Sequence, residues 1–92
     1  MERITEKHLE ALVNRLNRTT GNPETPWRDT PDGLRANIGN YHTEHAYSGV
    51  GLVRMCNESG GISCVLPLGT KRELYDQLRA FLKGIESTKE NA

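Results

Sequence analysis

The chain reads as an α+β domain, in which two amphipathic helices bracket a set of short, turn-punctuated strands. Three observations predict that class. One apolar stripe at helical spacing runs through residues 5–20, a second runs through residues 70–86, and between them apolar residues alternate with polar ones and are interrupted by Gly, Pro and Asn. The element order expected is α-β-β-β-α, an antiparallel three-stranded meander with both helices packed on one face.

The first helix is carried by Leu9, Leu12, Val13 and Leu16, which fall at i, i+3, i+4 and i+7 and form one stripe. Thr5 is a suitable N-cap, and Glu6 places a negative charge at the positive end of the helix dipole. Ile4 and Leu9 occupy N′ and N4, the positions of a hydrophobic staple. Gly21 ends the helix.

Residues 21–33 hold Pro23, Pro26 and Pro31, all but one of the prolines, together with Trp27 and several acids. That composition predicts an ordered loop without regular structure, with Trp27 as a lid over the core edge. Pro31-Asp32-Gly33 is a turn signal, because proline presets φ and glycine accepts the left-handed position. The first strand should follow it, since Leu34, Ala36 and Ile38 alternate with Arg35, Asn37 and Gly39. A second strand spans about 46–56, with Val50 and Leu52 on one side and Gly51, Val53 and Met55 on the other. Gly49 and Gly51 there point to a bulge or to the close approach of another backbone. Asn57–Gly61 is a hairpin turn, and Ile62–Leu66 return, so the sheet occupies 34–67. Thr70 and Glu73 then form a capping box, and Leu74, Leu78, Phe81, Leu82 and Ile85 give the second helix, 70–86, its stripe. Residues 87–92 are polar and expected to fray.

Ninety-two residues suffice for one domain, 1–92, with a single modest core and no deep cleft besides. Twelve Lys and Arg balance twelve Asp and Glu, so no net charge favours a polyanion. Met1–His8 is charged and lacks an apolar run, which argues against a signal peptide or a membrane anchor and for the cytosol. Cys56 and Cys64 are then expected as reduced, buried or half-buried thiols.

The segment Gly39–Gly49 concentrates two His, two Tyr, one Glu and one Asn in a chain poor in aromatics. If it is extended, Tyr41, Thr43, His45 and Tyr47 point one way and His42, Glu44 and Ala46 the other. Tyr41, His42, Thr43, Glu44, His45 and Tyr47 are the candidate binding surface, offering rigid contact area with hydrogen-bonding tips. The plainer reading puts them at the core margin or in a loop. His42, His45, Cys56 and Cys64 make a weak set of zinc ligands, since seven residues between the cysteines is not a zinc knuckle. His42 with Glu44, or Cys56 with His45, can be drawn as a reactive pair, but no orienting third residue, glycine elbow or phosphate loop accompanies either. No catalytic residue and no cofactor is assigned.

Lys71, Arg72, Arg79 and Lys83 give the second helix a basic side. With the element order and Leu68-Gly69-Thr70-Lys71-Arg72, the chain resembles in outline a double-stranded-RNA-binding domain. The resemblance implies a nucleic-acid contact at that helix start, although Asp76 interrupts the stripe and a solvated face of mixed charge is the simpler account.

Asn40-Tyr41-His42, His45-Ala46-Tyr47-Ser48-Gly49-Val50, Leu52-Val53-Arg54-Met55, Asn57-Glu58-Ser59-Gly60-Gly61, Lys71-Arg72-Glu73-Leu74-Tyr75 and Leu78-Arg79-Ala80-Phe81-Leu82 together resemble a family of small uncharacterised proteins of tailed bacteriophages and prophages of Gram-negative bacteria. The similarity spans Ile4 to Glu86. It implies a phage origin and the host cytosol, and its pattern includes neither cysteine. The function expected is a non-enzymatic accessory protein that binds a host or phage protein, or a second copy of itself, through residues 40–49 and the sheet face left uncovered by the helices. Nucleic-acid binding through the second helix is the alternative.

Overall fold

The structure, a computed structural model, describes residues 3–90. The elements are α1 (Glu6–Thr20), β1 (Trp27–Thr30), β2 (Gly33–Ala36), β3 (Tyr41–Ala46), β4 (Gly49–Met55), β5 (Ile62–Gly69) and α2 (Lys71–Glu90). The strands β3, β4 and β5 form an antiparallel meander, and β1 and β2 form a separate two-stranded hairpin. Leu9, Val13 and Leu16 of α1 and Leu74, Leu78 and Leu82 of α2 pack with Tyr41, Val50 and Leu52, so both helices lie on the same face of the meander. The α+β class and this arrangement agree with the periodicities. Each fully buried leucine among them is worth about 2 kcal/mol of transfer free energy.

The caps follow the sequence closely. Thr5 precedes α1, and its backbone N–H donates to His8 Nδ1 at 3.0 Å, so a histidine occupies the place that Glu or Gln takes in most capping boxes. Gly21 adopts φ 73°, and the following Asn22 N–H closes on the Asn17 carbonyl at 2.8 Å, satisfying a carbonyl at the helix end. Thr70 and Glu73 exchange bonds of 3.0 and 3.1 Å at the start of α2.

Three expectations are corrected. Residues 21–33 are not free of regular structure, because Trp27–Thr30 is a strand that the Pro31–Gly33 turn folds back onto Gly33–Ala36. Residues 34–38 therefore do not open the meander. Leu34 and Ile38 are 60% and 54% exposed, and of that predicted face only Ala36 is buried. Alternation announced a two-faced strand but could not say which sheet it joins, and the tight turn gave it a local partner first. The meander instead begins with Tyr41–Ala46. Finally, α2 continues through Glu90, with Thr88 Oγ1 donating to the Gly84 carbonyl at 3.0 Å, so the fraying expected from residue 87 is not seen over 87–90. Residues 91 and 92 lie outside the described residues.

Gly51 carries out the role its position suggested. A Cβ there would lie 2.8 Å from the Leu66 carbonyl oxygen, and the β4–β5 register shifts between Val50 and Leu52 and again between Leu52 and Val53.

Candidate binding surface

The pairing of β3 fixes which way each of its groups points. Ala46 faces Gly49 across the two-residue turn Tyr47-Ser48, and Met55 N–H donates to the Asn40 carbonyl while Gly39 N–H donates to that of Met55. Even-numbered residues of β3 thus bond to β4, and the backbone groups of Tyr41, Thr43 and His45 turn outward along the free edge. The side chains of these three lie on the helix side, and those of His42, Glu44 and Ala46 lie on the opposite face.

Tyr41 leaves the predicted surface, for it is 7% exposed and part of the core. Its ring meets Phe81 edge-on at 6.3 Å, and the Arg54 guanidinium sits 5.0 Å from its centroid. Its backbone is held by Asn17, whose buried carboxamide donates to the Tyr41 carbonyl at 3.0 Å and accepts from its N–H at 2.8 Å. Thr43 is half-buried. His45 is exposed at the rim, where Nε2 lies 3.0 Å from Glu6 Oε1 and Lys71 Nζ approaches the same oxygen to 3.6 Å. The hydrogen bond with His45 is the main cause that holds the Glu6 carboxyl below its ordinary pKa.

On the other face His42 is half-buried, with Nδ1 3.1 Å from Asn40 Oδ1. Asn40 Nδ2 is committed to the Pro23 carbonyl at 2.8 Å, which leaves Oδ1 to accept and gives the His42 proton to Nδ1. Burial lowers the His42 pKa, and Glu44 opposes that shift. This face is open only in part. Val53 and Met55 point away from the helices yet are buried, and the β1–β2 hairpin docks at that end of the sheet. Ala36 N–H donates to the Glu58 carbonyl at 3.0 Å, Arg28 pairs with Glu58 at 3.6 Å, and the Trp27 ring lies so close to Gly60 that a Cβ there would come within 2.6 Å of it. Trp27 thus covers a turn rather than the core edge.

Tyr47 is 98% exposed. It and Ser48 have φ of 49° and 62°, the two positive values of a type I′ hairpin turn, where Asn-Gly is the favoured pair.

The remaining candidates are not gathered. His42 and His45 project from opposite faces of β3, and Cys56 and Cys64 are both exposed rather than buried. Among the described residues no three His, Cys, Asp or Glu stand where they could hold a metal. Of the basic set, Lys71 approaches Glu6, and Arg79 lies 5.7 Å from the Tyr75 ring. Arg79 and Lys83 border a groove of about 460 Å³ between the helices, together with Asp76 and with Glu86, which Arg15 bridges at 2.7 Å. A second groove, of about 280 Å³, runs beside the free edge of β3. No helix among the described residues is long and apolar enough to cross a membrane.

Neither Asn17 nor Asn40 is among the candidate site residues, although both are fully buried. Asn17 did carry a signal, since it sits four residues after Val13 on the apolar stripe, where an amide must find partners. Asn40 carried none. Compared with protein-family models, curated proteins and solved structures, the chain shows no match.

Proposed function

We propose that the protein is a non-enzymatic protein-binding module, a phage or prophage accessory protein acting in the host cytosol, with the β3–β4 hairpin as its contact element. The observation that carries this reading is Tyr47. An aromatic ring that is 98% exposed gains nothing from packing, and a side chain at positive φ adds strain of about 1 kcal/mol. Asn or Gly would serve the turn better, so the phenol ring has its use outside the fold. Tyrosine suits such a use, having large rigid area, few rotors and one polar tip. Nucleic-acid binding through α2 has weaker support, because acidic side chains are interleaved with its basic ones.

A photo-crosslinking amino acid at position 47, used in host and phage lysates, tests the reading. Discrete protein adducts that an excess of unlabelled wild-type protein suppresses, and an excess of Tyr47→Asn does not, are expected. Adducts suppressed equally by both would overturn it. Titration with duplex RNA at two salt concentrations decides the alternative, which requires binding that weakens steeply with salt.

A further inference from the structure

The two edges of the meander are built differently. On β5 the register shifts twice and Pro67 supplies no N–H, which are two devices that prevent another strand from pairing. On β3 there is neither proline nor bulge, and its register against β4 is unbroken from Tyr41 to Ala46. Its outward groups are closed at one end, where Asn17 occupies both polar atoms of Tyr41. Thr43 and His45 then present an N–H and a C=O each along an edge with no neighbouring strand.

The groove of about 280 Å³ lies along this edge toward its Tyr41 end, between Glu10 and Val13 of α1 and Glu24 of the following segment, with Tyr41, His42 and Thr43 on its floor. No Lys or Arg lines it. Glu10 makes no ion pair among the described residues, and Glu24 has only a loose one with Arg18 at 3.6 Å. We infer that the outer edge of β3 captures an extended, basic peptide segment of a partner protein by strand addition. A residue paired with Thr43 directs its side chain into the acidic groove, and its neighbour, paired beside Glu44, directs its side chain to the opposite face. Two consecutive basic residues therefore meet a carboxylate on each face. The peptide backbone supplies affinity, and the two cationic side chains fix the register. Asn17 sets the limit, because a strand can add beyond Tyr41 but not over it.

This inference rests on the protein-binding reading but not on Tyr47. The probe is the capped hexapeptide Thr-Val-Lys-Arg-Val-Thr, with a counterpart in which Glu replaces Lys and Arg, both titrated into ¹⁵N-labelled full-length protein. The basic peptide is expected to bind about ten-fold more tightly than the acidic one, since like charges across an interface are penalised. It should shift and protect the Thr43 and His45 amides, and Glu10→Lys with Glu24→Lys should invert the preference. Thr43→Pro, which removes one edge N–H, should abolish binding. Should that variant not fold, N-methylation of alternate peptide amides makes the same test on the ligand side. Equal binding of both peptides, no binding, or shifts confined to the groove between α1 and α2 would overturn the inference. Crosslinking at position 47 is scored separately, so failure of the edge and failure of the hairpin tip are distinguishable.

Discussion

The Asn17 side chain pairs with the Tyr41 backbone as a neighbouring strand would, donating from Nδ2 at 3.0 Å and accepting at Oδ1 at 2.8 Å. Both residues are buried, so neither Tyr41 group has water to fall back on. Asn17→Ala should destabilise by about 3 kcal/mol, the cost of two orphaned backbone groups, and Asn17→Leu should not restore the loss despite filling the space. Urea unfolding measures both. A change under about 1 kcal/mol would mean that water replaces the amide.

Replacing Tyr47-Ser48 with Asn-Gly supplies the residues that a type I′ turn prefers. The double substitution should raise stability by about 1 kcal/mol in thermal or urea unfolding while removing the proposed protein contact. A loss of stability would place Tyr47 among the structural residues and take away the main support for the functional reading.

His42 gives the fold a pH dependence whose sign follows from burial. Its folded pKa lies below the ordinary 6.5, so as pH falls through 6.5 the unfolded chain takes up the proton first and the folded state loses stability. The loss levels off below the folded pKa. His42→Gln should flatten the stability profile across this window, and a ring-proton NMR titration should place the His42 midpoint under 6.5. A midpoint above that value would overturn the assignment.

Gly51→Ala puts a methyl group 2.8 Å from the Leu66 carbonyl oxygen, an atom held in the β4–β5 ladder. Backbone cannot yield as a flexible side chain does, and the expected cost is about 2 kcal/mol in denaturant unfolding. Gly84→Ala is the control, since a Cβ there meets nothing within 4 Å and a helix interior favours alanine.

The helices were legible because a stripe at 3.6-residue spacing and a cap at each start say the same thing about the same residues. Leu9, Val13 and Leu16, and Leu74, Leu78 and Leu82, all lie in the core. The strand partners were less legible. Leu34-Arg35-Ala36 and Tyr41-His42-Thr43 both suit an extended chain, and only the long-range pairing decides which enters the meander. Tyr41 misled for a related reason. A tyrosine beside a histidine resembles a recognition segment until the tertiary contacts with Phe81, Arg54 and Asn17 assign it to the interior. Tyr47 is exposed for a reason the alternation did not indicate, since it lies in the Tyr47-Ser48 turn between β3 and β4 and not in the strand expected over about 46–56.

The separation of α1 from the rest of the body has a kinetic consequence. From Tyr41 onward each element meets the next through a short connection, whereas α1 reaches β3 only after the β1–β2 hairpin has been looped out. The downstream half should therefore assemble by local closures, with α1 docking late. Stopped-flow experiments on Asn17→Ala should show faster unfolding and nearly unchanged refolding. During synthesis α1 emerges ahead of the meander yet is seated after it, and its leucine stripe stays open to chaperones until β5 and α2 have followed.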